Sequence, residues 1–251
     1  MNDPGVPDGD REPAVHDAAT VIVARDTSEG VQVFMVRRSA RSAFMPDLYV
    51  FPGGRFDESD RTEAARRLRG SAGDVDPALA VTAARETFEE AGLLFADRVV
   101  PGHRLGPLRR ALAAGEIAFG DVLDRLGVAV DAGAMRYFSR WVTPKSELAT
   151  RRFDTRFFVA RAPESQVAEA DATEVLDGRW VTAASALAAR ERGELALVFP
   201  TIKHLERIAP FASVDELMRF AGTKTIVTVT PDVQSGSGQH FILLRELENA
   251  W

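Results

Sequence analysis

Apolar residues along this chain fall in short runs cut by turn signals, and these alternate with stretches of helical period. Ala18 to Arg25 and Val31 to Val36 read as two strands, joined through the turn-like Asp26 to Gly30 as a hairpin. Leu48 to Phe51 is a third run, stopped by Pro52-Gly53-Gly54. Phe56 to Asp76 is polar and charged and reads as an inserted loop with one helical turn around Glu63 to Leu68. Asp76 is then a good N-cap and Pro77 a favoured first helical residue, so a helix runs to Ala91 and stops at Gly92.

Beyond it, Pro107 to Leu126 reads as one or two helices. Arg136 to Val142, Arg156 to Ala160 and Val175 to Val181 read as strands. Ala183 to Arg190, Thr201 to Ile208 and Val214 to Phe220 are helical in period, and Ile226 to Val229 and Phe241 to Leu244 are late strands. Strands alternating with helices predict a layered α/β (α+β) domain. The Pro-, Gly- and Asp-rich residues 1–17 read as a disordered tail, 18–193 as the main domain, and 194–251 as a helical extension packed on it.

Composition narrows the chemistry. The chain has 251 residues, 45% apolar and 27% charged, as in ordinary globular proteins. It has no cysteine, which excludes disulfides, thiolate nucleophiles and cysteine-held metals and fits a reducing compartment such as the cytoplasm. The start lacks a basic segment leading into an apolar run, so no signal peptide is expected, and no apolar stretch suits a membrane span. A formal charge of −6 disfavours nucleic acid as a partner. No Gly-x-Ser-x-Gly and no Walker loop occurs, and His16, His103, His204 and His240 show no metal-binding spacing.

The informative helix is the one opening at Asp76. At about 100° per residue, Glu90 falls about 40° to one side of Glu86 and Glu89 about 60° to the other. Val81, Ala84, Phe88 and Ala91 share the opposite face. One side is therefore apolar and the other a carboxylate patch. Glu86 and Glu90 repel at i, i+4, and both lie toward the negative end of the helix dipole. A hard divalent cation offsets both costs, and carboxylate oxygens are the ligands Mg²⁺ prefers. The bland alternative is a solvated acidic face with Arg85 as a plain helix salt bridge.

Arg85-Glu86-Thr87-Phe88-Glu89-Glu90-Ala91-Gly92-Leu93 resembles the helix half of the Nudix box, G-x5-E-x7-R-E-U-x-E-E-x-G-U with U apolar. Phe51-Pro52-Gly53-Gly54 resembles its entry loop. Gly54 precedes Arg85 by 31 positions where the pattern has 14, so 17 residues are inserted. Counted back from Arg85, the pattern's upstream Glu falls on Pro77, so the loop half is expected to lack its carboxylate. Thr87 stands where an apolar residue is usual.

Such an insertion is similar to the acyl-coenzyme A diphosphatases, the peroxisomal mammalian type and its bacterial relatives. Arg38-Ser39 and Phe44-Met45-Pro46 before the box resemble that branch. So do Trp141-Val142-Thr143-Pro144, Arg152 to Phe158, and Glu174-Val175-Leu176 leading to Trp180-Val181.

The resemblance implies a Nudix-type α/β/α sandwich with a mixed sheet, and a pyrophosphohydrolase using Mg²⁺ or Mn²⁺. It implies Glu86, Glu89, Glu90 and the Gly53 carbonyl as metal ligands, one glutamate as general base, and Arg85 orienting a carboxylate. Arg38, Arg41 and Arg152 are candidates for substrate phosphates, and Glu174 for a remote carboxylate. Trp141, Phe153 and Phe157 are candidates for an adenine or acyl pocket, with core packing as the plainer role. The expected substrate is coenzyme A or its acyl esters, and the expected assembly a homodimer. The alternatives are a Nudix hydrolase of ADP-ribose, NADH or another nucleotide, and a non-catalytic nucleotide sensor. A Nudix-type isoprenoid isomerase is disfavoured because that mechanism uses a cysteine.

Overall fold

The computed structural model describes residues 14–39, 47–145, 151–171, 175–235 and 239–251. Arg41, Phe44-Met45-Pro46 and Glu174 lie outside the described residues. The chain begins with β1 (Val15–Thr27) and β2 (Gly30–Arg38), then the short β3 (Tyr49–Val50) and β4 (Gly53–Arg55). Next come α1 (Glu58–Arg67), β5 (Leu68–Arg69), α2 (Pro77–Ala91), α3 (Leu105–Ala113), α4 (Phe119–Leu126), β6 (Val130–Asp131), β7 (Met135–Val142), β8 (Arg152–Arg161) and β9 (Val175–Thr182). The C-terminal part holds α5 (Ala183–Glu191), α6 (Phe199–Ile208), α7 (Val214–Thr223), β10 (Thr228–Val229), β11 (Asp232–Ser235), β12 (Gln239–Ile242) and α8 (Arg245–Ala250).

One eight-stranded mixed sheet organises these elements, in the order β10-β7-β8-β1-β2-β3, with β4 also on β1 and β9 also on β2. β1 is central: it pairs antiparallel with β2 through Ala24↔Val33 and Thr27↔Gly30, and parallel with β8 through Val15↔Arg152 to Ala24↔Arg161. Alternation along β1 sends Ala19, Val21 and Val23 into one core and Ile22 and Ala24 into another. β8 divides the same way, Phe158 and Ala160 against Phe157 and Val159. A strand buried on both faces reads as a near-continuous apolar run, as these do. The first core is closed by α2, α3 and α4, the second by α5, α6, α7 and Trp251. The result is the expected helix–sheet–helix sandwich.

The structure corrects several expectations. Residues 15–17, read as tail, already belong to β1, held by its parallel ladder to β8. Pro52-Gly53-Gly54 is no simple stop, because Gly53–Arg55 pairs with Ala18 to Thr20. The inserted loop contains a ten-residue helix, α1, where one turn was expected. Its start is fixed by local polar chemistry: Asp57 accepts from the Ser59 amide at 2.8 Å, and Asp60 accepts from the Asp57 amide at 3.1 Å. α1 carries no apolar stripe, so periodicity did not reveal it. The C-terminal stretch adds β10 to the sheet beside β7 and closes the second core.

In the second core, His204 is fully buried, stacked on Phe157 at 4.1 Å between ring centroids. Its Nδ1 donates to the Pro200 carbonyl at 2.6 Å, so Nε2 accepts from the Ser139 hydroxyl at 2.7 Å. Burial, with Lys224 and Arg207 nearby, holds this imidazole down at about 3 although the Pro200 bond works the other way. Trp141 and Phe157 pack here, in the core.

Candidate active site

The site is built where β4 meets α2. Helix α2 begins as expected: Asp76 accepts from the Ala78 amide at 2.9 Å, Pro77 opens the first turn, and Gly92 closes it with φ of 70°. Val81, Ala84, Phe88 and Ala91 are buried in the first core. That burial fixes the rotation of the helix, and so fixes where its acidic side points.

The two glycines of β4 let the helix come close. Gly53 donates its backbone N–H to Glu90 Oε2 at 2.9 Å, and Glu90 is 6% exposed. A Cβ on Gly54 would lie 2.5 Å from the Glu86 carboxylate carbon, and one on Gly53 2.5 Å from the Ala19 carbonyl oxygen. Neither position accommodates a side chain without displacement.

Arg85 is the hub. Its Nε and Nη2 donate to the two oxygens of Asp60 at 2.8 and 3.0 Å, a bidentate pair. Its Nη1 donates to Glu86 at 2.8 Å and to Glu89 at 3.0 Å, and Nη2 also donates to the Arg55 carbonyl at 3.0 Å. Asp60, only 1% exposed, further accepts from the Thr82 hydroxyl at 2.8 Å. Burial works against the Arg85 charge, but the Asp60 bonds and the charges of Glu86 and Glu89 outweigh it and raise its pKa. Beside the hub opens a cavity of about 510 Å³ lined by Arg55, Phe56, Asp57, Glu58 and Arg85.

At the far end of α2, Arg109 from α3 donates its Nε to the Glu89 carbonyl at 2.9 Å. Burial lowers its guanidinium pKa against the opposing pull of Asp171, Glu169 and Glu90.

Three carboxylates, Asp60, Glu86 and Glu89, thus gather around one arginine, and a fourth, Glu90, is held beside them by the Gly53 amide. This hard-oxygen, net-negative donor set suits a divalent cation of the Mg²⁺ type. Among the described residues, no three acidic or histidine side chains already converge in cation-holding geometry. The reason is visible in the bonding, since Arg85 engages Glu86 and Glu89 while Glu90 faces the Gly53 amide.

A family model described as the NUDT19 Nudix domain matches residues 63–208, over half of the chain. The chain belongs to the NUDT19 Nudix domain family. Acyl-coenzyme A diphosphatase NUDT19 of Gallus gallus is 26% identical over 250 residues, covering 78% of this chain and 65% of the relative. The Homo sapiens protein of the same name is 28% identical, covering 77% and 64%. The chain thus spans just under two thirds of these relatives' length. The crystal structure of a Nudix hydrolase from Alicyclobacillus acidocaldarius superposes with a TM-score of 0.71 at 33% identity, covering 82% of this chain and 96% of that one.

Against the Nudix pattern, one expectation is reversed. Counting forward from Gly54, the carboxylate position after five residues is Asp60. The insertion therefore lies between Asp60 and Arg85, and the loop half keeps its acid. Counting back from Arg85 across the insertion pointed instead to Pro77, now simply the first residue of α2. The signal was present in the Gly54-x5-Asp60 spacing and in the Asp57–Asp60 cap.

The structure brings Gly53, Gly54, Arg85, Glu86, Glu89 and Glu90 together. Arg38 ends β2, paired opposite Val175 of β9. Arg152 is 8% exposed with its Nε on the Thr143 carbonyl at 3.2 Å. Thr87, unusual for its box position, is buried and donates its hydroxyl to the Ala83 carbonyl at 2.7 Å. That bond within the helix satisfies the polar group in an apolar setting.

Proposed function

We propose that this chain hydrolyses the pyrophosphate bond of coenzyme A or an acyl-coenzyme A, giving phosphopantetheine or its acyl form and adenosine 3′,5′-bisphosphate. The carrying observation is that the glycine loop and the carboxylate helix assemble into one site despite the insertion. The names of the chicken and human relatives support the substrate class.

In this reading Glu86, Glu89 and Glu90, with the Gly53 carbonyl, hold Mg²⁺ or Mn²⁺. When bound, such a cation neutralises phosphate oxygens and acidifies the attacking water. One of the glutamates accepts the water proton. The water oxygen bonds to one phosphorus, the anhydride P–O bond breaks, and its electron pair leaves with the departing phosphate. Arg85, fixed by Asp60, keeps Glu86 and Glu89 oriented during this exchange. Arg38, Arg41 and Arg152 are assigned to the substrate's phosphates and Glu174 to the remote-carboxylate role. The cysteine-free composition supports a reducing compartment such as the cytoplasm. A homodimer is the assembly the reading takes, and sedimentation of the purified chain tests it.

The decisive assay incubates purified protein and Mg²⁺ with coenzyme A esters, ADP-ribose and NADH. Cleavage of coenzyme A esters to adenosine 3′,5′-bisphosphate is expected, and cleavage of ADP-ribose alone would overturn the substrate assignment. Glu86→Gln and Glu90→Gln are each expected to remove turnover with the fold unchanged by circular dichroism.

A further inference from the structure

Arg109 is set apart from the arginines that make ordinary surface pairs. It comes from α3, outside the box, and reaches the last turn of α2. Its Nε donates to the backbone carbonyl of Glu89, not to a side chain. Its Nη1 lies 3.0 Å from where a Cβ of Gly92 would sit, so the guanidinium fills the space left by the left-handed cap. Its Nη2 is buried and makes no hydrogen bond among the described residues. A buried donor nitrogen left unused costs free energy, and a stability role alone is poorly served by it.

The surroundings show what the position achieves. The carbonyls ending α2 carry the negative end of the helix dipole, and Glu89 and Glu90 stand on that same turn. Glu90, Glu169 and Asp171 all pull on the Arg109 charge. The loop carrying Glu169 is itself tied to this turn, its amide donating to the Ala91 carbonyl at 3.0 Å. A cation set against the last turn holds in place the backbone from which Glu89 and Glu90 project.

We propose that Arg109 is a positioning residue for the carboxylate cluster: from α3 it pins the C-terminal turn of α2 and thereby sets the placement of Glu89 and Glu90 for cation binding. This rests on the metal-site reading above. It has a distinguishing sign. Removing a nearby positive charge, by charge alone, would tighten cation binding. Removing a positioning residue loosens it.

The test measures Mn²⁺ affinity of the full chain by electron paramagnetic resonance without substrate, with kcat and KM for a coenzyme A ester measured in parallel. In Arg109→Met, Mn²⁺ affinity and kcat are each expected to fall by about tenfold or more, as for outer residues that orient metal ligands, with KM little changed. Arg109→Lys retains the charge and an N–H donor and is expected to recover most of both. Unchanged or tighter Mn²⁺ binding in a folded Arg109→Met chain would overturn the proposal. Should the Met variant fail to fold, Arg109→Lys and Arg109→Gln decide on the same readouts, and wild-type Mn²⁺ affinity in both overturns the proposal. If Glu86→Gln leaves Mn²⁺ binding untouched, the metal-site reading itself fails, which is a separate result.

Discussion

Gly53 and Gly54 are neighbours with different reasons to be glycine, and substitutions separate them. A Cβ on Gly54 meets the tip of the Glu86 side chain, with its carboxylate carbon at 2.5 Å. That tip can swing aside, so Gly54→Ala is expected to lose most activity with a thermal midpoint near wild type. A Cβ on Gly53 meets strand backbone, with Thr20 Cα at 2.6 Å, which cannot swing. Gly53→Ala is expected to lower the thermal midpoint as well. Asp60 offers a third test. It is buried and doubly bonded to Arg85, so Asp60→Asn leaves part of a buried guanidinium uncompensated. A loss of about 3 kcal/mol in urea unfolding is expected, together with reduced turnover. His204 sets a pH signature. Its folded pKa, about 3, lies below the ordinary 6.5. Its contribution is therefore complete above about pH 6.5 and is lost as pH falls toward 3, by about 2 kcal/mol between pH 7 and 5. Unfolding of His204→Gln followed by urea across that range is expected to show a flatter dependence.

At the scale of elements, legibility followed the source of each element's stability. Helix α2 was readable end to end because caps, apolar face and acidic face all agree in sequence, as Asp76, Pro77, Phe88 and Gly92 show. Its carboxylates needed no partner to be recognised. β1 and β2 were readable because both faces are buried. Helix α1 was not, since it is held by a cap and by charge pairs, such as Arg67 with Asp124 at 2.9 Å on α4, which only the fold brings together. β11 is a strand through its antiparallel pairing with β12, a contact that no local pattern in its four residues announces. Asp60 is legible only forward from Gly54, because the insertion separates it from Arg85, and Arg109 has no sequence signal, because its contact is with a backbone carbonyl of another element.

For the whole molecule, the sheet separates two cores with different duties. The first packs behind α2 and presents the carboxylates; the second encloses His204 and is closed by Trp251. Trp251, 3% exposed, stands edge-on to Trp141 at 5.0 Å. Trp251→Ala is expected to cost about 3–5 kcal/mol in chemical unfolding. KM for substrate is expected to hold at temperatures where the variant remains folded, because the sheet stands between this residue and the site.

The bidentate pair between Asp60 and Arg85 has one more consequence. It staples together the ends of the inserted stretch, with α1 on one side and α2 on the other. Closing a longer loop between fixed ends grows dear only slowly, by about 0.6 kcal/mol for each doubling. The exposed junction of Gly73 and Asp74, just past the buried Ala72, is thus a permissive graft point. A fluorescent tag or a small folded cargo spliced there is expected to ride on the chain without disturbing the pairing of Asp60 with Arg85.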